Sequence, residues 1–171
     1  MKINQKIKKV AFIGMGLINS SLARDLKIKK FYLSSSAYSR RPSTINKIKK
    51  LKLVDVASSN IEKTIKEADI IIVGIPVAAY QEVFKKICNN IKPGAIITDV
   101  GSVKKEVINS VKKYIPKNID FVPGHPIAGT ENSGPESGFA GLFKNGWCIL
   151  THLIKRLVKI QLKLLNTCGN L

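Results

Sequence analysis

The sequence predicts a single α/β domain built on a doubly wound, mostly parallel sheet. Apolar runs typical of strands alternate with segments of helical periodicity along most of the chain. Residues 69–75 are almost entirely apolar and β-branched, as expected of a strand that is buried on both faces of a parallel sheet. A glycine turn at Gly14 and Gly16 separates the first apolar run from a helical segment. These observations favour parallel strands joined by right-handed helical crossovers.

In the first half of the chain, predicted strands and helices follow one another closely. The strands are short apolar runs, and the first helix places its apolar residues three or four positions apart. Ser59 and Glu62 have the spacing of a capping box, which predicts a third helix that runs to about residue 67. The preceding elements are a strand at 10–13, a helix at 17–27, a strand at 33–39, a helix at 42–51 with a basic outer face, and a short strand at 54–57.

The second half continues the alternation and contains one long loop rich in glycine and proline. Pro76 ends the buried strand, and a turn at Pro93 and Gly94 precedes the next one. We place the domain at residues 1–150, followed by a basic tail at 151–171 for which a ragged helix is predicted. The remaining elements are a helix at about 78–90, a strand at 95–98, a helix at 103–115, a strand at 120–122, the loop at 123–146 and a last strand at 147–150.

The chain is strongly basic, with a formal net charge of +18 at pH 7. A charge of this size can attract nucleic acid, because neutralised phosphates contribute much of that affinity. The lysines, however, are spread along the whole chain, only four basic residues are arginine, and the 6% of aromatic residues are not interleaved with basic ones. Charge is the only feature that favours a nucleic-acid partner, and we expect no such partner. The distribution of the charge predicts a solvated lysine surface, whose field attracts an anionic substrate or cofactor.

Composition argues against membrane, secreted and metal-binding proteins. The chain has no apolar run long enough to span a membrane, and its basic N-terminus lacks the apolar region and cleavage site of a signal peptide. We therefore expect no membrane association and a cytoplasmic location. Cys88, Cys148 and Cys168 are widely spaced, which argues against both a disulfide framework and a zinc site.

Gly14 and Gly16, between a strand and a helix, match the start of the dinucleotide fingerprint. The first glycine permits a tight turn, and the second lets backbone N–H groups, including those of Leu17 and Ile18, approach a pyrophosphate. The third position is Asn19 rather than Gly or Ala, so an ordinary strand–helix turn remains the alternative. Because this position normally lets helix and sheet pack closely, we expect Asn19→Gly to leave cofactor binding unchanged or improved.

Ser39, Arg40 and Arg41 follow the second predicted strand, where an NAD enzyme usually carries an acidic residue. Two guanidinium groups at this place can bind a 2′-phosphate through paired, charge-assisted hydrogen bonds. The arrangement favours NADP over NAD as the cofactor. A pair of solvated surface arginines is the alternative interpretation.

Further candidates lie at the carboxyl edge of the sheet, where doubly wound folds bind their ligands. Ile75, Pro76 and Val77 can form an apolar wall for a nicotinamide ring, although a plain strand terminator has the same composition. Gly101 follows a later strand, and we count it among the expected cofactor contacts. His125 stands between a glycine and a proline in a predicted loop without burying periodicity, which favours a functional role over a structural one.

Two motifs at this edge resemble those of the prephenate/arogenate dehydrogenase family of tyrosine biosynthesis. They are Asp99-x-Gly-Ser-x-Lys104 and Pro123-Gly-His-Pro-x-Ala-Gly-x-Glu-x-Ser-Gly134. The similarity covers residues 8 to 151 approximately, and the paired motifs are far more specific than the glycine turn.

This resemblance implies NAD(P)-dependent oxidative decarboxylation of prephenate or arogenate. It implies that His125 contacts the ring hydroxyl of the substrate, that Ser102 lies within hydrogen-bond reach of His125, and that Thr130 and Glu131 line the substrate side. An imidazole suits such a role, because it exchanges protons near neutral pH, and Ser102 would fix its tautomer. The sequence leaves open the choice between prephenate and arogenate and between NADP and NAD.

The resemblance fades after residue 151. The family has a second, helical domain that forms a homodimer and supplies an arginine to the substrate carboxylates, and this chain shows no counterpart of it. We therefore expect a truncated protein that binds the cofactor without turning over substrate on its own. The alternative is a non-catalytic nucleotide-binding fragment, which is either inert or completed by a second chain.

Overall fold

The computed structural model describes residues 7–151, in which strands and helices alternate around one seven-stranded sheet. The predicted order of elements is confirmed, with boundaries that differ by a few residues. In chain order the elements are β1 (Ile7–Ile13), α1 (Leu17–Ile28), β2 (Tyr32–Tyr38), α2 (Pro42–Lys50), β3 (Val56–Ser58), α3 (Ile61–Ile65), β4 (Ile70–Val73), a 3₁₀ turn (Val77–Ala79) leading into α4 (Tyr80–Ile87), β5 (Ile96–Asp99), α5 (Lys104–Val111), β6 (Asp120–Ile127) and β7 (Trp147–Leu150).

The strands lie in the order β3-β2-β1-β4-β5-β6-β7, and every neighbouring pair is parallel except β6 with β7. The predicted doubly wound, mostly parallel sheet is therefore confirmed, and the strand order is that of a Rossmann-like fold. The order reverses between β1 and β4, because the chain leaves β1 toward β2 and later returns to the other side of β1. Ligands of such sheets bind in the crevice at this reversal.

Helices cover both faces of the sheet, and each face has its own apolar core. All four residues of β4 are buried, which explains why its sequence is apolar throughout. On one face, Tyr80 and Phe84 of α4 stack with ring centroids 5.9 Å apart and pack with residues of α3 and α5. On the other face, Phe12 and Ile72 pack with α1 and with Ile48 of α2. The lysines of α2 point to solvent, as the predicted basic outer face requires.

Asn60 caps the third helix, so the predicted capping box at Ser59 and Glu62 was wrong. The Oδ1 atom of Asn60 accepts a hydrogen bond from the backbone N–H of Lys63 at 2.7 Å. Helix α3 begins at Ile61, immediately after Asn60. The Ser58 hydroxyl accepts the Asn60 N–H at 3.0 Å and fixes the chain before the cap. Serine and asparagine are both good cap residues, so adjacent candidates are not separated by sequence alone.

His125 lies in a strand rather than in a loop, which corrects the predicted strand end at residue 122. The first four residues of β6 pair with β5 and its last four pair with β7, so the strand changes partner along its length. Proline and glycine in this segment disfavour a strand when considered alone. Pairing with β7, which places Pro126 opposite Cys148, overrides that preference. The extended strand carries His125 past the carboxyl end of β5.

The loop between β6 and β7 is fastened to α1. The Ser21 hydroxyl accepts the backbone N–H of Phe139 at 3.1 Å, and the buried Asp25 carboxylate accepts that of Gly141 at 2.8 Å. Gly138 packs so closely against the helix that a Cβ there would lie 2.0 Å from the Ser20 hydroxyl oxygen. These contacts make the loop a fixed part of the fold.

Within residues 7–151, no helix is long and apolar enough to cross a membrane, and no group of three or more His, Cys, Asp or Glu side chains is arranged to hold a metal ion. Cys88 and Cys148 are free thiols, and burial raises the pKa of each to about 11. Cys168 and the predicted helix of the basic tail lie outside the described residues.

Candidate functional site

The glycine turn between β1 and α1 lies at the crevice between β1 and β4, as its motif predicts. Gly14 has a φ of +81°, and a Cβ there would lie 2.3 Å from the Gly74 carbonyl oxygen, so only glycine fits without strain. The Gly14 N–H donates to the Tyr38 carbonyl at 3.1 Å, and the Gly74 N–H donates to the Ile13 carbonyl at 2.8 Å. The turn is thereby tied to the strands on both sides.

Gly16 is the N-cap residue of α1 and faces open space. A Cβ built on Gly16 meets no atom within 4 Å, no side chain caps the helix, and its first turn carries no acidic residue. The unpaired N–H groups of this turn therefore present the positive end of a twelve-residue helix to an approaching anion.

A cavity of about 200 Å³ is lined by this helix terminus, by the segment after β4 and by the turn after β5. Its walls offer backbone N–H groups and apolar side chains without an acidic group, which fits a dinucleotide whose pyrophosphate meets α1. Five of the predicted cofactor contacts line the cavity, namely Gly16, Leu17, Ile18, Ile75 and Gly101. Of the others, Gly14 belongs to the turn before α1, and Pro76 and Val77 follow Ile75 along the chain. The lining residues are Gly16, Leu17, Ile18, Asn19, Gly74, Ile75, Val100 and Gly101.

Asn19 is a buried structural residue, which corrects the reasoning behind the predicted effect of Asn19→Gly. It is 1% exposed, and its Nδ2 atom donates to the Gly14 carbonyl at 2.7 Å. The small residue that close packing requires lies opposite, after β4, since a Cβ on Gly74 would lie 2.6 Å from Asn19 Nδ2. Helix and sheet therefore approach each other through the Asn19–Gly74 pair rather than through a glycine at position 19.

Given this packing, Asn19→Gly is expected to destabilise the protein by about 1–3 kcal/mol, because it removes a buried hydrogen bond and places glycine inside a helix. Urea unfolding of the full chain measures the loss. Gly74→Ala alone should also destabilise, by overpacking against Asn19. A double-mutant cycle uses Asn19→Ala and Gly74→Ala as its single variants. In Asn19→Ala/Gly74→Ala the clash is relieved, so the losses of these two single variants should sum to more than the loss of the double variant. Additive losses would contradict the reciprocal packing.

Ser39, Arg40 and Arg41 lie at the carboxyl end of β2, on the same edge of the sheet as the cavity. The Ser39 hydroxyl accepts the backbone N–H of Arg41 at 3.3 Å, and both arginine residues are exposed. Among residues 7–151, neither guanidinium group forms an ion pair. Glu82 of α4, which is paired with Lys86 at 2.7 Å, has its pKa lowered chiefly by Lys86 and to a small extent by Arg40.

Ser102 and His125 both lie at this edge, Ser102 after the end of β5 and His125 in the part of β6 that extends past that end. Asp99, the last residue of β5, pairs with Pro123 of β6. Ser102 lies three residues after Asp99, and His125 lies two residues after Pro123. Ser102 is exposed and His125 is half-buried. No hydrogen bond joins these two side chains in the part of the chain that the structure describes, and their expected contact stays a prediction. Hydrogen bonds between catalytic groups often tighten only when substrate binds.

A buried ion pair lies between these two segments. Asp99, 1% exposed, accepts the backbone N–H groups of Gly101 at 2.9 Å and Gly124 at 3.2 Å, and the Tyr80 hydroxyl lies 3.1 Å from it. Lys104 forms an ion pair with Asp99 and donates to the Gly124 carbonyl at 2.7 Å. Burial lowers the pKa of Lys104, against the attraction of Asp99, and burial raises the pKa of Tyr80, whose hydroxyl therefore stays protonated.

The face of the β6–β7 pair that carries His125 is apolar and exposed. His125 lies opposite Ile149, and Ile127 lies opposite Trp147, so these four side chains share one face of the pair. Ile127, Trp147 and Ile149 are 48%, 75% and 54% exposed. Exposed large side chains gathered around a functional candidate are typical of a surface that meets another unit.

Thr130 and Glu131 lie beyond β6, at the start of the loop that α1 holds. Both are exposed, and the Thr130 hydroxyl accepts the backbone N–H of Asn132 at 3.2 Å. Their expected substrate contacts remain a prediction.

Sequence reasoning missed the groups that join the segments carrying Ser102 and His125. Asp99 and Lys104 were recognised only as letters of a motif, although an acid at the end of an apolar strand with a lysine five positions later was a signal for a buried pair. Tyr80 gave no signal, because its packing against Asp99 depends on the approach of α4 to the end of β5.

Comparison with known proteins agrees with this fold. The family described as prephenate dehydrogenase, nucleotide-binding domain, matches residues 22–169. A cyclohexadienyl dehydrogenase from Zymomonas mobilis is 39% identical over 144 residues, which are 84% of this chain and 49% of that protein. A prephenate dehydrogenase from Lactococcus lactis is 35% identical over 148 residues, which are 85% of this chain and 41% of that protein.

Two solved structures of similar proteins share the fold. Prephenate dehydrogenase from A. aeolicus, in complex with hydroxyphenyl propionate and NAD+, has a TM-score of 0.88 at 28% identity over 97% of this chain and 59% of that one. Synechocystis arogenate dehydrogenase has a TM-score of 0.82 at 29% identity over 92% of this chain and 56% of that one.

The extent of these matches defines what the chain has in common with its relatives. The chain spans about half the length of the curated relatives it matches, and the family match covers most of the chain. The family match begins within α1 and contains β2 to β7, with the segments that carry Ser102 and His125. The chain therefore belongs to the prephenate dehydrogenase family, in which it corresponds to the nucleotide-binding domain.

Proposed function

We propose that the chain binds a nicotinamide dinucleotide in the crevice between β1 and β4, as the cofactor-binding part of a prephenate or arogenate dehydrogenase. The observation that carries this proposal is the cavity at the uncapped N-terminus of α1. The N–H groups of Leu17 and Ile18 would donate to the pyrophosphate, for which Gly16 leaves room. The A. aeolicus relative, which is in complex with NAD+, supports the assignment of a nicotinamide cofactor.

The segment after β4 would receive the nicotinamide end of the cofactor. Ile75 and Gly101 both line the cavity, and Pro76 and Val77, which follow Ile75 along the chain, would continue the apolar wall. An apolar wall positions a planar ring without competing for its polar substituents. The cofactor, when bound, supplies the acceptor for a hydride from the substrate.

His125 and Ser102 would act on the substrate beside that ring. His125 would hold the hydroxyl proton of the ring carbon from which the hydride leaves, and Ser102 would orient the imidazole. Loss of carbon dioxide then makes the substrate ring aromatic, which supplies the thermodynamic drive. The main task of the protein is therefore to position the two reactants.

We further propose that the exposed apolar face formed by Ile127, Trp147 and Ile149 meets the half of the relatives that has no counterpart in this chain. This contact would place the missing groups next to His125, on the same face of the β6–β7 pair. Steady-state oxidation of prephenate by the chain, alone and with that half supplied, tests the dependence. A nucleotide-binding fragment without catalytic role would bind the cofactor and stay inactive in both cases.

Direct titration tests the cofactor site itself. Isothermal calorimetry with NADP and NAD should give saturable binding of one molecule per chain. Absence of binding at millimolar concentrations of both cofactors would contradict the proposed site. Oxidation of substrate is not needed for this measurement, so the result is independent of the catalytic proposal.

For the choice of cofactor, we expect Arg40→Ala/Arg41→Ala to weaken NADP binding by about 1–3 kcal/mol and to leave NAD binding within about twofold. The 2′-phosphate would lose charge-assisted hydrogen bonds that NAD does not make. Calorimetric titrations of both cofactors measure the difference.

A matched control removes the same charge from the far end of the helix that follows Arg41. Lys49 and Lys50 are exposed in the last turn of α2, so Lys49→Ala/Lys50→Ala changes the net charge equally without approaching the proposed phosphate site. An equal loss of NADP affinity in this control would assign the effect to the general field of the protein. Equal affinities of the unmodified chain for NAD and NADP would contradict the preference.

A further inference from the structure

We propose that Asp99 and Lys104 are positioning residues that fix the backbone from which Ser102 and His125 project, an inference that rests on the proposed dehydrogenase function. The pair is buried between the ends of β5 and β6, with exposed side-chain fractions of 0% for Asp99 and 13% for Lys104. Neither residue needs to touch substrate or cofactor for this role.

The contacts of the pair fall next to both candidate catalytic residues. The N–H of Gly101, immediately before Ser102, donates to Asp99 at 2.9 Å. The peptide of Gly124, immediately before His125, is held from two sides, because its N–H donates to Asp99 and its carbonyl accepts from Lys104. One ion pair therefore fixes the residue before each candidate, and the two segments cannot move apart without breaking it.

Close packing around the carboxylate supports this role. A Cβ on Gly101 would lie 3.0 Å from Asp99 Oδ2 and 3.2 Å from the Tyr80 hydroxyl, so the turn before Ser102 is pressed directly onto the acid. Burying two charges is costly, and a buried ion pair often stabilises a protein no better than apolar residues of similar volume. A stabilising function alone therefore does not explain the pair, whereas a fixed geometry between the turn after β5 and the extended part of β6 does.

The opposite edge of the same sheet offers a matched control. Asp69 forms an ion pair with Lys92 and accepts the backbone N–H groups of Lys8 at 2.7 Å and Lys9 at 3.1 Å. This second pair also joins neighbouring strands through one carboxylate, but it lies at the amino ends of β1, β4 and β5. Substitutions in it change stability without reaching the catalytic segments.

The test follows the titration of the His125 imidazole by NMR in the full chain carrying His152→Gln, which leaves His125 as the single histidine. The variants are Asp99→Asn, Lys104→Met and the double variant, with Asp69→Asn/Lys92→Met as the control. Lys104→Met keeps Asp99 together with the hydrogen bonds that it accepts from Gly101, Gly124 and Tyr80. This variant therefore still tests the proposal if Asp99→Asn does not fold. NADP affinity of each variant is measured in parallel.

We expect the titration midpoint of His125 to shift by at least about 0.5 pH unit in Lys104→Met and in the double variant, because His125 changes its burial and contacts. The double variant leaves the net charge unchanged, so a purely electrostatic influence would cancel there while a positional one persists. A midpoint in the double variant equal to that of the control would overturn the proposal.

The parallel measurement separates this inference from the proposed function. NADP binding should stay within about twofold in Lys104→Met, since neither residue of the pair lines the cavity and Asp99, which is kept in this variant, still accepts the N–H of the cavity residue Gly101. If the unsubstituted chain binds no nicotinamide cofactor, the proposed function fails. The shift of the His125 midpoint then still decides whether the pair positions that residue.

Discussion

Replacement of His125 by asparagine is expected to lower the kcat of prephenate oxidation by about 10²–10⁴-fold in a fusion that adds the half of the relatives outside the matched region. In this fusion, residues 1–150 continue into the carboxyl-terminal half of the Zymomonas mobilis cyclohexadienyl dehydrogenase. Asparagine keeps the polarity of the side chain and cannot take up the hydroxyl proton, so the loss has the size of a removed general base. Steady-state kinetics with prephenate and NADP measure kcat and KM separately.

The cofactor affinity of this variant provides the control. His125 does not line the cavity at α1, so NADP should bind with an unchanged dissociation constant. A fusion with His125→Asn that retains more than about a tenth of its turnover would contradict a proton-transfer role. Turnover by the 171-residue chain without the added half would contradict the proposed dependence on that half.

Gly16→Asp is expected to reduce NADP affinity on the order of 100-fold or more while leaving the fold intact. The new carboxylate would occupy the place proposed for the pyrophosphate, and like charges about 4 Å apart repel by about 4 kcal/mol at an effective dielectric constant of 20. Gly16 has no neighbour within 4 Å of a Cβ, and aspartate is a favoured N-cap residue. Calorimetric titration and thermal unfolding measure the two properties on the same sample.

A substitution at Gly14 is expected to lower stability, whereas Gly16→Asp is expected to lower NADP affinity and keep stability. Gly14→Ala forces a side chain into the left-handed region and against the Gly74 carbonyl, so it should cost stability before any ligand is considered. For Gly16→Asp, the exchange of one N-cap residue for another should change the free energy of unfolding by only a few tenths of a kcal/mol. Its unfolding midpoint should therefore stay within about 2 °C of that of the unmodified chain. Binding of NADP to Gly16→Asp within tenfold of the original affinity would place the pyrophosphate elsewhere.

Local sequence patterns were sufficient to predict the central part of the fold. The apolar, β-branched run that became β4 predicted a strand buried on both faces of a parallel sheet, and glycines at positions 14 and 16 predicted the turn between β1 and α1. The doubly wound, mostly parallel sheet followed from the alternation of strands and helices, and so did the location of Arg40, Ser102 and His125 at its carboxyl edge.

Features that depend on distant partners were not predictable in this way. The extension of β6 through His125 requires β7, which lies some twenty residues further along the chain. The role of Asn19 depends on the glycine at position 74, and the Asp99 network gathers groups from α4, α5 and β6. In each case the deciding contact joins segments that are far apart in sequence, so local propensity carries no information about it.

The attachment of the loop before β7 to α1 has a consequence for the entropy of ligand binding. The helix whose first turn is proposed to meet the cofactor also holds, through Ser21 and Asp25, the loop that bears Thr130 and Glu131. Freezing a flexible loop on association costs about 0.5–1.5 kcal/mol for each immobilised side chain rich in rotamers, besides the backbone. In the part of the loop that α1 holds, this loss of freedom has already occurred during folding, so the proposed substrate would meet a loop that is partly ordered in advance. Part of the conformational entropy that ligand binding would otherwise lose is therefore already lost when the chain folds.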